Sequence, residues 1–184
     1  MAETRIVHAA RDSNEDRPST PRTAIVVASV HHGNTRKIAE VMATTLHAKL
    51  FMPTEITADE LSQFDLVGFG SGIYFGRHHK SLRRIVKSLT HESVPRFGFV
   101  FSTAGLPFLH RVFHWPVRRK LTRLGCTVVR GFCCRGWDTV GPLWLFGGIN
   151  RRHPNQRDMI RAKSFAERMA HKCLLELVDN RQTN

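Results

Sequence analysis

Short apolar runs alternate along the chain with segments in which apolar residues recur at helical spacing. The run Thr23 to Ser29 is almost continuously apolar and rich in β-branched residues, which is typical of a strand buried on both faces of a parallel sheet. The other predicted strands are Lys49 to Met52, Phe64 to Phe69, Phe97 to Phe101 and Thr127 to Phe132. The pattern therefore predicts five strands.

Helical spacing fills the intervals between these strands. One helix is predicted after the turn His31 to Asn34, a second through Leu82 to Leu89 and a third at Val117 to Leu124. We expect His153-Pro154 to open the last helix. Its predicted apolar flank is Ile160, Phe165, Met169, Cys173, Leu174 and Leu177. This alternation predicts an α/β fold with an open, doubly wound, five-stranded parallel sheet between two helical layers.

The domain is expected to occupy residues 22–184, after a flexible polar tail at residues 1–21. No apolar stretch reaches the roughly 20 residues of a membrane span, and the first residues lack the apolar centre of a secretory signal. The four cysteines show no C-x-x-C spacing, which favours reduced thiols. We expect a cytoplasmic protein.

Charge changes this picture, because the formal net charge is +13. Residues 105–163 carry twelve basic and two acidic side chains, so this region should attract anions. Several of these arginines follow the fourth and fifth predicted strands and are expected to surround the entrance of a site at the carboxyl ends of the strands. They are Arg111, Arg118, Arg135, Arg151 and Arg152.

Ligands of open α/β sheets bind outside the carboxyl ends of the strands. The turn Ser29 to Thr35 leads directly into a helix, whose free N–H groups favour an anion such as a phosphate monoester. Gly33 permits a close approach, Asn34 and Thr35 add donors, and the cations Arg36 and Lys37 would be offset by the anion. The alternative is that Asn34 only caps the helix and both cations face water.

Two later segments are predicted to be loops at the same edge. Gly70 to Gly76 combines glycines with Tyr74 and Phe75, and either aromatic ring suits a planar heterocycle. The alternative is that both rings plug the core. Ser102 to Gly105 offers small donors for a pyrimidine-like edge, or forms an ordinary strand-to-helix turn.

Taken together, these segments resemble the flavodoxin family. Gly33-Asn34-Thr35 matches its phosphate motif, and Tyr74 lies where the family has a stacking aromatic. The resemblance is sharpened by HHGNT at 31–35, GFGSGIYFGRHHKSL at 68–82, GWDTVGP at 136–142 and GGINRRHPNQRD at 147–158. It implies FMN as the cofactor. The residues expected to bind it are Ser29, Val30, His31, His32, Gly33, Asn34, Thr35, Gly72, Ile73, Tyr74, Phe75, Gly76, Ser102, Thr103, Ala104 and Gly105.

The chain departs from the family in two respects. Val30, His31 and His32 stand where flavodoxins usually carry hydroxyl side chains, so phosphate would depend on backbone amides and imidazoles. Flavodoxins are also typically acidic, which implies a different partner for this basic chain. The resemblance implies flavin-borne electron transfer or oxidoreductase activity, and no catalytic residue is assigned.

One branch resembles the menaquinone-dependent protoporphyrinogen dehydrogenases, which are small, flavodoxin-like and membrane-associated. The expected partner is therefore a quinone or an acidic protein, with peripheral contact to an anionic membrane. The run Gly141 to Gly147 is either a lid or an apolar edge, with Leu143, Trp144 and Phe146 as contacts. The alternative function is a flavin-free module that binds nucleic acid or an anionic membrane through its basic surface.

Three pairs of adjacent residues invite other interpretations. His31-His32 and His78-His79 should diverge in direction and have no ligands at metal spacing, so we predict no metal site. Cys133 and Cys134 are interpreted as buried thiols at a strand end rather than as a redox pair.

Overall fold

A computed structural model describes residues 20–30, 32–137 and 150–182. Helices pack on both faces of one sheet. The strands are β1 (Thr23–Ala28), β2 (Lys49–Phe51), β3 (Leu66–Tyr74), β4 (Arg77–His78), β5 (Phe97–Ala104) and β6 (Thr127–Arg135). The helices are α1 (Asn34–Leu46), α2 (Ala58–Leu61), α3 (Lys80–Ser88), α4 (His110–Arg123) and α5 (Gln156–Gln182), and a 3-10 turn spans Pro107–Leu109.

The sheet has the strand order β2-β1-β3-β5-β6 with all neighbours parallel, and β4 pairs antiparallel with the end of β3. The predicted fold class is confirmed, with the short β4 as an addition. The chain runs outward from β1 to β2 and then returns past β1 to β3. The strand order therefore reverses beside β1, which places the switch point at the carboxyl ends of β1 and β3.

Two apolar clusters fill the spaces between the sheet and its helices. Under α1 and α5 the cluster is rich in aromatic rings, whereas under α2, α3 and α4 it is mostly aliphatic. The rings of the aromatic cluster are Phe97, Phe99, Phe101, Phe132 and Phe165. Gly68 and Gly70 lie beside Phe99 and Phe101 in the register of β3 with β5. A Cβ at either glycine would overlap the neighbouring ring, so these positions of β3 must remain small.

Several predicted boundaries are wrong. Gly70 to Tyr74 belong to β3 and Ser102 to Ala104 belong to β5, so neither segment is the predicted loop. α4 begins at His110 instead of Val117. α5 begins after Asn155, because Asn155 and Asp158 each accept a hydrogen bond from the other's backbone N–H, at 3.1 Å. Ile160 belongs to the predicted core-facing flank of this helix, but more than half of it is exposed.

Most of the predicted tail, residues 1–19, lies outside the described residues, as do His31 and the run Gly141 to Gly147. Within the part of the chain that the structure describes, no helix has the length and hydropathy that a membrane crossing requires.

Candidate functional site

The turn between β1 and α1 lies at the switch point of the sheet. Gly33 precedes the first residue of α1 with a positive φ of 65°, and no side chain caps the helix. The N–H of Arg36 donates to the Ser29 hydroxyl at 3.2 Å. Among the described residues, the backbone N–H groups of Asn34 and Thr35 have no partner. Asn34 therefore does not cap the helix, although Arg36 and Lys37 are both exposed as that alternative expects. Two helix-terminal amides remain for an anion.

The side chains of Asn34 and Thr35 are buried and engaged within the protein. The Asn34 amide donates to the Trp137 carbonyl at 2.8 Å. The hydroxyls of Thr35 and Thr103 lie 2.7 Å apart and share a hydrogen bond. These contacts connect the ends of β1, β5 and β6, so the two side chains hold the shape of the turn, and the backbone amides become its main donors.

A second layer covers this turn, and sequence reasoning assigned no role to its residues Gly136 and Trp137. The ring of Trp137 stacks on His32 at a centroid distance of 3.8 Å, and the Arg151 guanidinium lies 5.7 Å from the centroid of the same indole. A Cβ at Gly136 would come within 3.1 Å of the Asn34 amide, so the backbone passes close to the turn. The signal was available, because Gly136, Trp137 and Arg151 lie in the motifs that carry the family resemblance.

The predicted second loop is the end of a strand followed by a tight turn. Gly72, Ile73 and Tyr74 are the last residues of β3, and Phe75 and Gly76 turn the chain into β4. Tyr74 is half-buried and folds back over Gly72, where a Cβ would lie 2.8 Å from the phenol oxygen. Phe75 has a positive φ of 48° and is 90% exposed. The two aromatics therefore differ, because Tyr74 lies against the sheet while Phe75 projects from it.

The predicted third loop also lies mostly within a strand. Ser102, Thr103 and Ala104 are buried, and the backbone carbonyls of Ala104 and Gly105 face the chain that follows β6. The Ala104 carbonyl accepts from the N–H of Gly136 at 3.2 Å, and the Gly105 carbonyl accepts from the Asn150 amide at 3.3 Å. Hydrogen bonds thus join this edge to the segments around Trp137. Residues 102–104 therefore lie in a strand, neither in a loop nor in a turn, and their role at a ligand stays a prediction.

Beneath this edge, on the side of α3 and α4, lies a buried polar layer. Ser71, Ser102 and Cys133 are register partners on adjacent strands. The Ser71 hydroxyl bonds Nδ1 of His78 at 2.8 Å, and the Ser102 hydroxyl bonds Nε2 of His114 at 2.8 Å and donates to the Cys133 sulfur at 3.2 Å. The two imidazole rings lie 5.2 Å apart. Histidines therefore bond polar positions on two of the three strands.

Each of these histidines keeps one ring nitrogen without a hydrogen-bond partner among the described residues, Nε2 of His78 and Nδ1 of His114. Burial lowers the pKa of His78 to about 4, with a contribution from Arg83. Burial lowers the pKa of His114 to about 2, with contributions from His78, His110 and Arg118. Both rings are therefore neutral at physiological pH.

The paired cysteines are both buried, as the interpretation from sequence expected. Burial raises the pKa of the Cys133 thiol to about 11, although the hydrogen bond from Ser102 acts to lower it. Burial also raises the pKa of Cys134. Thiols in this state are poor nucleophiles. His78 bonds Ser71, whereas the ring of its neighbour His79 accepts from the N–H of Ser81 at the start of α3. The described residues contain no cluster of three or more potential metal ligands.

The basic residues near this edge of the sheet lie on different elements. Arg36 forms an ion pair with Glu40 at 2.9 Å on the exposed side of α1. Arg111 and Arg118 lie on α4, Arg135 ends β6, and Arg151 lies over Trp137. A cavity of about 700 Å³ opens between the end of β6 and the start of α5. Its basic lining residues include Arg135, Arg157 and Arg161.

Comparison with known proteins places these features in a family. Residues 24–104, which include β1, β3 and β5, match the model of the flavodoxin domain. This match covers the turn after β1 and the ends of β3 and β5. An uncharacterised protein of Methanocaldococcus jannaschii is 42% identical over 146 residues, which are 79% of this chain and 96% of that protein.

Solved structures share the fold at low sequence identity. Flavodoxin 2 of Bacillus cereus superposes with a TM-score of 0.60 at 19% identity, covering 82% of this chain and 99% of that one. The rubredoxin:oxygen oxidoreductase of Desulfovibrio gigas superposes with a TM-score of 0.65 at 15% identity, covering 85% of this chain but 37% of that one. Given its strand order, the uncapped helix terminus at its switch point and its match to the flavodoxin domain, this chain belongs to the flavodoxin-like family.

Proposed function

We propose that this chain binds one FMN non-covalently at the carboxyl ends of β1, β3 and β5 and works as a redox protein. The uncapped start of α1 carries the proposal. Its Asn34 and Thr35 amides have no partner among the described residues, and they lie where the strand order reverses. A phosphate monoester accepts hydrogen bonds from such amides and is stabilised by the helix dipole. Membership in the flavodoxin-like family supports the same ligand.

The residues around the turn leave room for a phosphate and leave its binding to backbone amides. Gly33 has open space where a Cβ would be, so an anion can approach the backbone closely. Asn34 and Thr35 hold the turn through Trp137 and Thr103 and leave binding to the amides. His32 supplies a nearby imidazole, and its stacking on Trp137 limits its motion.

We place the isoalloxazine between the β3–β4 turn and the end of β5. Tyr74 is the proposed stacking partner, because it is half-buried against Gly72 and its position is defined by the sheet. Bound FMN would supply the electron transfer. The chain would orient the ring and limit its contact with water. The neutral His78 and His114 lie beneath this edge and add no positive charge to it at pH 7.

The electron partner is proposed to be a quinone or an acidic protein. The cavity beside β6 supports an enzyme that binds a reactant over a protein that only carries electrons, since an electron carrier needs only an exposed flavin edge. Its arginines would attract a reactant that carries an anionic group.

The test compares two glycines that both have a positive φ. Gly33 and Gly125 both have positive φ, 65° and 94°, and at neither does any atom lie within 4 Å of the position that a Cβ would take. Gly33→Val should weaken FMN binding at least tenfold, or about 1.4 kcal/mol, because the side chain strains the turn and obstructs the amides. Gly125→Val carries similar strain in the turn between α4 and β6 and should leave FMN affinity unchanged. Titration with FMN fluorescence measures both constants.

Circular dichroism on each variant confirms that the fold is kept, and Gly33→Ala replaces the valine variant if it is not. Equal FMN affinity in the Gly33 and Gly125 variants would overturn the assignment of the phosphate turn. A wild-type protein that leaves FMN fluorescence unchanged would overturn the proposed cofactor.

A further inference from the structure

The two helices on one side of the sheet carry charge of a single sign. α3 and α4 together hold nine basic residues and no acidic residue. They are Lys80, Arg83, Arg84, Lys87, Arg111, Arg118, Arg119, Lys120 and Arg123. The four ion pairs among the described residues all lie elsewhere. Within the same layer, acidic side chains occur on the short α2, as Asp59 and Glu60.

Exposed apolar side chains accompany this charge. Phe108 is 72% exposed, Val112 67% and Trp115 56%. Their spacing of four and three residues places them on one side of the 3-10 turn and α4, and we call them the α4 ridge. Phe75, the exposed residue at the tip of the β3–β4 turn, stands next to Gly76, where a Cβ would lie 3.7 Å from the ring of Phe113 on α4.

We infer that the α4 ridge and the basic residues of α3 and α4 form a docking face for an anionic lipid bilayer. An apolar ridge bordered by cations is the pattern of a helix that lies in a membrane interface, with its apolar side chains among the acyl chains and its cations among the headgroups. The Arg119 guanidinium lies 4.8 Å from the centroid of the Trp115 ring. This pairing puts a cation and an indole at one depth, as the interface favours.

The shape of the surface distinguishes a bilayer from other polyanions. Val112 and Trp115 are mostly exposed on a helix, so they offer a partner a projecting edge, while Phe108 also lines the cavity beside β6. A nucleic acid strand would engage the cations and could stack bases on Phe108 and Trp115, but it would leave the aliphatic Val112 against sugar, phosphate and water. A bilayer offers acyl chains to the α4 ridge and anionic headgroups to the basic residues at the same time.

Docking would also orient the molecule. Phe75 and Phe108 lie just beyond the ends of β3 and β5, so the same face brings those strand ends toward the lipid. Where FMN binds as proposed, this orientation gives a lipid-soluble reactant access to the flavin, and only this step rests on the proposed function. Docking itself requires no flavin.

Flotation with vesicles tests the face on the full chain, with and without added FMN. We expect at least tenfold more binding to equimolar phosphatidylcholine and phosphatidylglycerol than to phosphatidylcholine alone. Phe108→Ser with Val112→Ser should reduce binding to the mixed vesicles at least tenfold, because it removes the inserted apolar area. Arg118→Gln with Arg119→Gln should also reduce binding, and should weaken its dependence on salt.

The matched control lies on the opposite helical layer. Ile160 and Leu175 on α5 are 56% and 52% exposed, so Ile160→Ser with Leu175→Ser removes comparable apolar surface. This control should bind vesicles as wild type does. Equal losses in the two serine variants would overturn the assignment to α4.

Two further outcomes would overturn the inference. Vesicle binding that depends on Arg118 and Arg119 but not on the α4 ridge would make the face an electrostatic surface without insertion. Binding of poly(U) RNA as tightly as the mixed vesicles, with no effect of the ridge variant on the RNA, would make it a nucleic acid surface. Failure of FMN binding would leave the vesicle results unchanged, so the two proposals fail separately.

Discussion

The two helical layers of this protein differ although they cover the same sheet. α1 and α5 hold eight basic and five acidic residues, with the ion pairs Arg36–Glu40 and Arg161–Asp158 among them. α3 and α4 hold nine basic residues and no acidic one. Beneath them, the first layer buries phenylalanine rings, whereas the second buries two histidines with unpaired nitrogens.

This difference indicates which helical surface has a use besides packing on the sheet. Like charges repel, and an unpaired buried polar atom costs free energy. Each weakens the fold, so their concentration on one side suggests a use for that side. Features that lower stability, such as clustered like charges and unpaired buried polar atoms, are expected at functional surfaces. The layer of α1 and α5 shows fewer of them, and it serves as an internal reference in the predictions below.

The largest expected effect is on the aromatic side. Gly70→Ala should destabilise the protein by about 3 kcal/mol, because the added methyl overlaps the buried Phe101 ring. In a Phe101→Leu background the same change should cost much less. Urea unfolding of the two single variants and the double variant gives the coupling energy. Equal costs in both backgrounds would show that Gly70 is not held small by this ring.

The next largest expected effect is a loss of stability at acidic pH, caused by the buried histidines under α3 and α4. Their pKa values are lowered by burial to about 4 for His78 and about 2 for His114, below the ordinary value of about 6.5. Between those values the unfolded chain binds more protons than the folded one, so stability falls as pH drops below about 6.5. Each histidine should contribute about 2 kcal/mol of loss between pH 6.5 and pH 5.

Conservative variants isolate this contribution. His78→Asn keeps a polar atom near Ser71, and His114→Gln keeps one near Ser102. Each should flatten the fall in unfolding free energy between pH 6.5 and pH 5, measured by urea titration. His171→Gln, at an exposed position on α5, should keep the wild-type slope. A wild-type slope in all three variants would show that the buried histidines do not govern acid stability.

The smallest expected effect is the change in stability when one arginine is neutralised, and it should have opposite signs in the two helical layers. Arg84→Gln on α3 relieves repulsion and should raise stability by a few tenths of a kcal/mol at low salt. Arg161→Gln on α5 removes the 3.6 Å ion pair with Asp158 and should lower stability by a similar amount. Salt should reduce both differences. Effects of the same sign in chemical denaturation would contradict the contrast between the layers.

The sequence predicted the fold class and the family, because these depend on local patterns. A continuous apolar run such as residues 23–29 indicates a buried strand wherever it occurs. Gly33-Asn34-Thr35 indicates a helix that starts beside a strand end, and the structure has α1 begin at Asn34. Such features involve residues close in sequence, so no knowledge of distant contacts was needed.

The interpretation failed where a residue's role depends on a distant neighbour. Gly70 is predicted to lie in a loop, but it belongs to β3 and must be small because the Phe101 ring lies beside it. Ser102 and Thr103 are predicted to be donors in a loop, but they lie in β5 and their hydroxyls bond His114 and Thr35. The pattern correctly singles out this glycine and these hydroxyls, and only their strand partners show why they are there.

By itself, then, the sequence determined the alternation of strands and helices, the position of the helix terminus at the first turn and the excess of positive charge. It did not determine which cations share a surface. That was decided by the crossovers, which send α1 and α5 to one face of the sheet and α3 and α4 to the other. Charge spread along the chain becomes a one-sided surface because side chains distant in sequence meet only when the helices pack.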